Sequence, residues 1–282
     1  MKSKLFVFSV ILLFILPFYS FAGEGSDTIG ACKILPQLRY SYITSDYHND
    51  GTPSFNTKYE NQSVYLQLNW GIHNNIDVYA LVGASFIKLV AKGTSVDPAG
   101  LPHHVKFTFD PDTSFLWGVG AKGTFFRADS GFYCGAGICF THSFTGDVGY
   151  DVYVDGVHMD HDPYPIRWWE YSLITDVHAG WHFKKWGLTP YAGVEYWQTW
   201  AYAEEKDNSD NRVSFHPDHP VGVYVGLDHF IADKLYLNVE GHMINRWGVN
   251  AGIGYLFDIC GKPAPVVAPV IPESEPVLTP MK

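Results

Sequence analysis

The stretch SVYLQLNWGI, Ser63 to Ile72, decides the fold class of this chain. Its side chains change character from each residue to the next. The apolar positions are Val64, Leu66, Leu68, Trp70 and Ile72, and the positions between them are Ser63, Tyr65, Gln67, Asn69 and Gly71. A period of two residues is that of a β-strand, in which successive side chains point to opposite faces. The stretch therefore predicts a strand with one face in apolar surroundings and the other in polar surroundings.

The same alternation recurs in segments of about ten residues along the chain. One segment sets Trp169, Tyr171, Leu173, Val177 and Trp181 against Glu170, Ser172, Asp176, His178 and His182. These segments predict about ten strands, with eight or twelve as alternatives. They lie near residues 35–46, 60–72, 77–90, 113–127, 131–145, 167–183, 188–203, 219–230, 234–246 and 247–258.

The connections between these segments alternate between short and long. Tight turns are predicted at 73–75, 128–130, 184–187 and 232–233, and long polar loops near 47–59, 91–112, 146–166 and 204–218. Short turns at one rim and long loops at the other are typical of a transmembrane antiparallel up-and-down β-barrel, whose turns face the periplasm. Lipid offers no hydrogen-bond partner, so strands in a membrane must close into a barrel without an edge. We therefore expect an all-β, transmembrane antiparallel up-and-down barrel, and an even strand count places both termini on the turn side.

The composition agrees with lipid on the outside of the protein. Aromatic residues make up 16% of the chain and charged residues only 17%, whereas a soluble domain averages about 25% charged residues. Aromatic belts are expected at the turn side from Phe125, Phe126, Phe132, Phe183, Tyr255 and Phe257, and at the loop side from Phe115, Trp117, Trp168, Trp169, Trp200 and Trp247. The alternative is the aromatic core of a soluble sandwich. The net charge of −10 argues against a nucleic-acid partner, which requires a basic surface.

The two ends of the chain differ from the strand-rich centre. Lys2 and Lys4 precede the apolar run 5–21, and Ser20 and Ala22 are small residues typical of a signal-peptidase site. An uncleaved membrane anchor is the alternative. Beyond Gly261 the chain has proline at every few positions, which predicts an extended tail. The predicted divisions are a signal peptide at 1–22, an N-terminal periplasmic lead-in at 23–34, a barrel at 35–260 and a Pro-rich periplasmic tail at 261–282.

The final predicted strand carries a specific resemblance. Asn250, Gly252, Tyr255 and Phe257 form a pattern that resembles the C-terminal assembly signal of bacterial outer-membrane barrels. The Ala-Pro-Val tail resembles the linker that follows the barrel of OmpA-like proteins. The resemblance to the OmpA-like and small porin-like superfamily implies location in the cell outer membrane of a Gram-negative bacterium. It also implies partners: outer-membrane lipid and lipopolysaccharide, the barrel-assembly machinery, and a periplasmic partner for the tail.

The four cysteines fall into two groups. Cys32 precedes the first strand and Cys260 follows the last, and these strands are neighbours in a closed barrel. We therefore predict a Cys32–Cys260 disulfide that joins the two ends of the barrel, in an oxidising compartment. A lipidated Cys32 is the alternative. Cys134 and Cys139 are five positions apart on one strand, which places them on opposite faces and too far apart to bond each other.

The polar faces of the strands predict a charged barrel interior. Its expected members are Arg39, Lys122, Glu170, Asp176, His178, His182, Glu195, Asp228, Glu240, His242 and Arg246. About ten strands enclose a narrow space, in which charges need partners. One interpretation is a salt-bridge network with trapped water, and the other is a small gated pore whose acidic wall favours cations.

Two further patterns in the sequence have residue types that are common in catalytic or metal sites. Asp176-x-His178 is similar to the Asp–His pair of omptin-type outer-membrane proteases, but it falls in the middle or turn-side half of its strand. The loop 146–162 is rich in Asp and His without the spacing of a calcium loop, which favours a solvated acidic surface over a metal site. No catalytic residue, metal site or cofactor is therefore predicted.

These observations predict an integral outer-membrane protein, not an enzyme, that has a structural or surface role, with either a filled lumen or a narrow, acidic pore. The alternatives are a general diffusion porin, an outer-membrane hydrolase of omptin-like architecture and a soluble ligand-binding barrel.

Overall fold

The computed structural model describes residues 27–49, 55–96, 99–110, 113–159, 166–205 and 208–260. The strands in these residues are β1 (Lys33–Asn49), β2 (Asn56–His73), β3 (Ile76–Val96), β4 (Pro102–Phe109), β5 (Ser114–Arg127), β6 (Phe132–Val148), β7 (Tyr150–Val154), β8 (Val157–Met159), β9 (Ile166–Trp181), β10 (Leu188–Glu205), β11 (Asn208–Pro217), β12 (Val221–Ile231), β13 (Leu235–Met243), β14 (Trp247–Tyr255) and β15 (Phe257–Asp258). No helix among these residues is long and apolar enough to cross a membrane. The predicted signal peptide at 1–22 and the tail at 261–282 lie outside the described residues.

Ten of these strands close into an antiparallel barrel. Their order is β1-β2-β3-β5-β6-β9-β10-β12-β13-β14, and β14 pairs with β1 again. The closing ladder runs from Gln37↔Gly254 to Thr44↔Trp247, while the other side of β1 pairs with β2. Because every wall strand is paired on both sides, the barrel has no open edge. The predicted ten-strand up-and-down barrel is confirmed.

The stagger of the strands sets the width of the interior. We start at Leu38 on β1 and step from each residue to its paired residue on the next strand. Through β2, β3, β5, β6 and β9 this path arrives at Trp200 on β10. Followed in the other direction, it reaches Leu188, twelve positions from Trp200 on the same strand. With strands about 4.8 Å apart and a rise of about 3.3 Å per residue, this offset tilts ten strands by roughly 40° and gives a backbone radius of roughly 10 Å. Side chains from opposite walls therefore meet inside.

The loop side contains strands where long polar loops were predicted, so that part of the prediction was wrong. The ladder of β3 with β5 ends at Ser85↔Ser114, and β4 takes over from Leu89↔Phe109 to Val96↔Pro102. β7 then pairs with β4, and β8 with β7. The barrel wall thus continues as paired hairpins beyond the ten-strand region, because neighbouring segments supply one another's backbone hydrogen bonds.

A further extra strand on the loop side, β11, crosses the end of a shorter hairpin. It pairs with β10 on one side and, from Tyr47↔Pro217 to Asn49↔Phe215, with β1 on the other. The β13–β14 connection therefore ends beneath β11. The Ser45 hydroxyl donates to the Asn245 carbonyl oxygen at 2.8 Å, and the side chains of Asn245 and Arg246 are buried.

The outer face of the barrel is apolar. On β2, Val64, Leu66, Leu68, Trp70 and Ile72 are each between 43% and 61% exposed. Exposed aromatic side chains lie at both rims: Phe125, Phe126, Phe183, Tyr255 and Phe257 at the turn side, and Phe115, Trp117, Trp200 and Trp247 at the loop side. Trp168 was predicted for the outer belt, but it is buried inside, because it shares the inward parity of Glu170.

A disulfide and an apolar cluster lie at the turn-side end of the seam. Cys32 and Cys260 form the predicted disulfide, with their Cα atoms 5.3 Å apart, and the Ile259 N–H donates to the Cys32 carbonyl at 2.9 Å. The cluster consists of Ile29, Leu35, Tyr236 and Leu256. Cys134 and Cys139 stay outside the disulfide, and Cys139 is buried while Cys134 is partly exposed.

Candidate functional site: the barrel interior

The barrel interior collects most of the side chains that the sequence assigned to it. Ten of the eleven predicted residues are only 1% to 6% exposed: Arg39, Lys122, Glu170, Asp176, His178, Glu195, Asp228, Glu240, His242 and Arg246. His182 lies apart from them. β9 ends at Trp181, so His182 is at the turn-side rim, where its Nδ1 is 2.8 Å from the Thr189 hydroxyl.

A cluster of four charged or titratable groups occupies the centre. Arg246 donates to both carboxylate oxygens of Glu195, through Nε at 2.9 Å and Nη2 at 2.7 Å. His242 lies between two acids, with Nδ1 3.1 Å from Glu195 and Nε2 2.9 Å from Glu240. The Arg246 guanidinium also stacks over the Trp197 ring, 5.0 Å from its centroid. This bidentate, stacked arrangement is the one in which arginine binds a buried carboxylate most favourably.

A second network lies toward the turn side. The Asp228 carboxylate accepts hydrogen bonds from Tyr236 at 2.8 Å and from the Asn238 amide at 2.7 Å. Arg39 donates to the Asn238 side-chain oxygen at 2.9 Å. Tyr191 connects this network to the central cluster, because its hydroxyl accepts from Asn238 and donates to Glu240 at 2.9 Å.

The Asp–His pair that resembles the omptin site lies deep in the interior. Asp176 and His178 are buried, with a His178 Nδ1 to Asp176 Oδ1 distance of 2.6 Å, and the Tyr224 hydroxyl donates to the same oxygen at 2.8 Å. A hydrolase of this type needs a pair that is open to substrate from the loop side. The geometry of Asp176 and His178 does not offer that opening.

Sequence reasoning missed Asp77 and the inward-facing tyrosines. Asp77 is fully buried, accepts from the Ile29 N–H at 2.8 Å and lies 3.8 Å from the Lys122 ammonium. The predicted lumen residues include no tyrosine, but Tyr191 packs over Gly226 on the neighbouring strand, where a Cβ would collide with its ring. An inward-facing glycine opposite a tyrosine was therefore the available signal.

A polar cavity lies among the described residues of the interior. It has a volume of about 120 Å³ and touches Asn61, Gln67, Glu170, Asp176 and Glu195 among its polar walls. The space suffices for several water molecules, which would meet enough polar partners to stay. It does not form a wide passage, because the surrounding networks cross the lumen.

An aromatic layer closes this cavity toward the loop side. Tyr47 and Tyr59 stack with their ring centroids 4.7 Å apart, and Trp197 lies 6.0 Å from Tyr47. The Tyr59 hydroxyl donates to Glu170 at 2.8 Å. Trp168 belongs to the same buried cluster. The layer therefore separates the charged lumen from the loop-side mouth.

The Asp- and His-rich loop forms isolated pairs in its described part. Asp155, at the β7–β8 turn, accepts from the His104 backbone N–H at 2.8 Å, and its carboxylate lies 2.7 Å from the His103 ring. The His103 ring, and next the His104 amide, hold the pKa of the Asp155 carboxyl below its usual range. No group of three His, Cys, Asp or Glu side chains among the described residues is arranged to hold a metal ion. Residues 160–165 lie outside the described part.

The final strands carry the residues of the predicted assembly signal. Asn250 points inward, where its amide is 2.9 Å from the His242 ring, and Gly252 lies beside Arg39. Tyr255 ends β14 and Phe257 begins β15, with both rings exposed on the outer face.

Comparisons with known proteins concern the shape of the chain. No known family matches its sequence, and no curated protein is significantly similar to it. An outer-membrane channel from Pseudomonas putida F1 is 10% identical, with a TM-score of 0.42 over 84% of this chain and 100% of that one. The outer membrane protein OprG from Pseudomonas aeruginosa is 10% identical, with a TM-score of 0.34 over 82% and 98%. The translocator domain of the autotransporter NalP from Neisseria meningitidis is 9% identical, with a TM-score of 0.40 over 91% and 97%. At such identities the likeness concerns the fold alone, and this chain is an all-β protein that forms a closed antiparallel barrel of ten strands.

Proposed function

We propose that this protein is an integral outer-membrane β-barrel with a closed lumen and a structural or surface role. The apolar outer face supports insertion in lipid, since side chains such as Leu66 and Val225 would otherwise expose large apolar area to water. A closed barrel also provides a hydrogen-bond partner for the backbone N–H and C=O groups of its wall strands, which lipid cannot supply. Insertion would make outer-membrane lipid and lipopolysaccharide its neighbours, with both termini in the periplasm.

One observation carries the proposal of a closed lumen. The β13–β14 connection turns inward, and Arg246 extends from it to Glu195 on β10 and to the Trp197 ring. In a barrel of roughly 10 Å radius, a guanidinium held at this point would narrow the passage. The Tyr47–Tyr59 stack closes the space beyond it.

A narrow cation-selective pore is the second candidate. The polar cavity of about 120 Å³ and the excess of carboxylates over arginine and lysine among the predicted lumen residues favour it. Movement of the Arg246 side chain together with the Tyr47 and Tyr59 rings would connect this cavity to the mouth. An acidic wall would then favour cations over anions.

Conductance of the full chain, refolded into planar bilayers in potassium chloride with and without reductant, tests both candidates. We expect no steady channels from the wild type. The Tyr47→Ala/Glu195→Ser/Arg246→Ser variant, which removes both side chains of the ion pair and one ring of the aromatic layer, should conduct, whereas Val225→Ala on the outer face should stay closed. Steady wild-type channels would refute the closed lumen, and their cation selectivity would support the second candidate.

A further inference from the structure

The inward-facing side chains change character along the same strands. On β10 the inward positions run from Glu195 through Trp197 and Thr199 to Ala201 and Ala203 toward the loop side. On β9 they run from Glu170 to Trp168. Beyond the aromatic layer the interior is therefore apolar, although its side chains point inward, away from the outer surface of the barrel. Contact with lipid does not explain apolar side chains at these positions.

These side chains surround a cavity instead of filling the space. Its volume is about 570 Å³, and aromatic rings dominate its walls: Phe55, Phe107, Phe109, Tyr150, Trp168 and Phe215. At roughly 30 Å³ per water molecule, the cavity has room for about nineteen waters. This volume lies in the range of small-molecule sites, which are mostly apolar with a few polar groups. The described lining carries no charge, and Asn49 and Ser95 supply polar groups.

The walls of the cavity are held in place by ring contacts and by paired strands. Phe55 meets Phe107 edge to face at 5.3 Å, and Trp168 lies 5.5 Å from Phe109 and 5.8 Å from Phe215. β11 carries Phe215 and is fixed between β10 and β1. A site that is already ordered binds a ligand without an entropic cost for arranging its walls.

We propose that this mouth cavity binds a small, uncharged, ring-bearing apolar molecule from outside the cell. Ring edges and faces already arranged around an empty space favour a planar aromatic or alicyclic solute over a flexible chain. Among the undescribed residues 50–54 and 160–165, which adjoin the lining in sequence, Tyr164 is the one large apolar side chain. The inference does not depend on whether the lumen conducts.

The test uses the full chain refolded in phosphatidylcholine nanodiscs and ¹⁹F NMR of 1-fluoronaphthalene, with empty nanodiscs as the partitioning blank. We expect saturable binding with one site per barrel and no saturation in the blank. Ala203→Phe places a ring inside the cavity and should weaken binding by about tenfold or more. Ala192→Phe adds the same ring on the exposed face of the same strand and should leave binding unchanged.

Several results would overturn the proposal. They are binding that is equal in empty nanodiscs, binding that Ala203→Phe leaves intact, and tighter binding of 1-fluorooctane, which would indicate an acyl-chain site. Binding that appears only in Tyr164→Ala would show that the chain's own loop occupies the cavity. If Ala203→Phe fails to fold, Val213→Asp puts a charge into the lining from β11, directly beside Ala203 on the paired strand, and should also abolish binding.

Discussion

Replacing Arg246 by methionine should destabilise the barrel by about 3 to 5 kcal/mol, the usual cost of leaving one partner of a buried ion pair alone. Arg246 and Glu195 are 4% and 2% exposed, and their two hydrogen bonds measure 2.9 and 2.7 Å. Methionine keeps apolar contact with Trp197, so the loss comes mainly from the carboxylate. His242 remains 3.1 Å from Glu195, which places the expected cost near the lower limit, about 3 kcal/mol.

The assay is a double-mutant cycle on urea unfolding in lipid vesicles, followed by tryptophan fluorescence. Glu195→Gln in the Arg246→Met background removes the unpaired charge and should recover about 1 to 3 kcal/mol. Arg127→Met is the matched control, because its pair with Asp27 lies at the exposed turn side and should be worth less than about 1 kcal/mol. Strictly additive effects at Arg246 and Glu195, or equal costs at Arg246 and Arg127, would refute the reasoning.

Three further outcomes are expected. Replacing Cys32 and Cys260 by serine opens a loop of 228 residues and should lower the urea midpoint by an amount equivalent to at most about 5 kcal/mol. Reductant should lower the wild-type midpoint by the same amount. An unchanged midpoint would contradict a disulfide that stabilises the barrel. The Asp155 carboxyl has a lowered pKa in the folded protein, so its contribution is complete above the ordinary carboxyl pKa and is lost as pH falls through the lowered one. Amide exchange at the β7–β8 turn should therefore rise below about pH 4, and Asp155→Asn should remove this pH step. Val225→Arg, on the outer face of β12, should cost about 2 to 4 kcal/mol in lipid, against a small effect of Val225→Ala; a negligible cost for arginine would mean that this face does not contact lipid.

The strands of the barrel could be predicted because two solvents act on every wall residue. From Ser63 to Ile72 each side chain meets either the outside or the interior, and the period of two records that choice. The seam disulfide required only that the first and last strands be neighbours. By contrast, β4 was predicted to be part of a loop. His103, Val105, Phe107 and Phe109 do alternate with other residues, but those residues are polar or charged, as in a loop.

Whether a side chain points into or out of the barrel could be predicted from its position in the alternating pattern of its strand. The wrong predictions have specific causes. Trp168 has the parity of Glu170, yet its ring suggested the outer belt. His182 continues the pattern of β9 past the residue where the strand ends. The mouth cavity was not predicted, since its aromatic rings come from β4, β7, β9 and β11 and from the residue before β2, and meet only after the hairpins beyond the wall have paired.

The sequence by itself determined an antiparallel barrel of about ten strands, its short and long ends and its seam, because these depend on periodicity and on the chain order of the strands. Only the tertiary structure decided which inward groups meet and where the interior is closed. Glu195 and Arg246 are 51 residues apart and are joined by the stagger of the strands and by the inward turn before β14. The apolar mouth likewise exists because β11 crosses to β1, a pairing that no local pattern in the chain specifies.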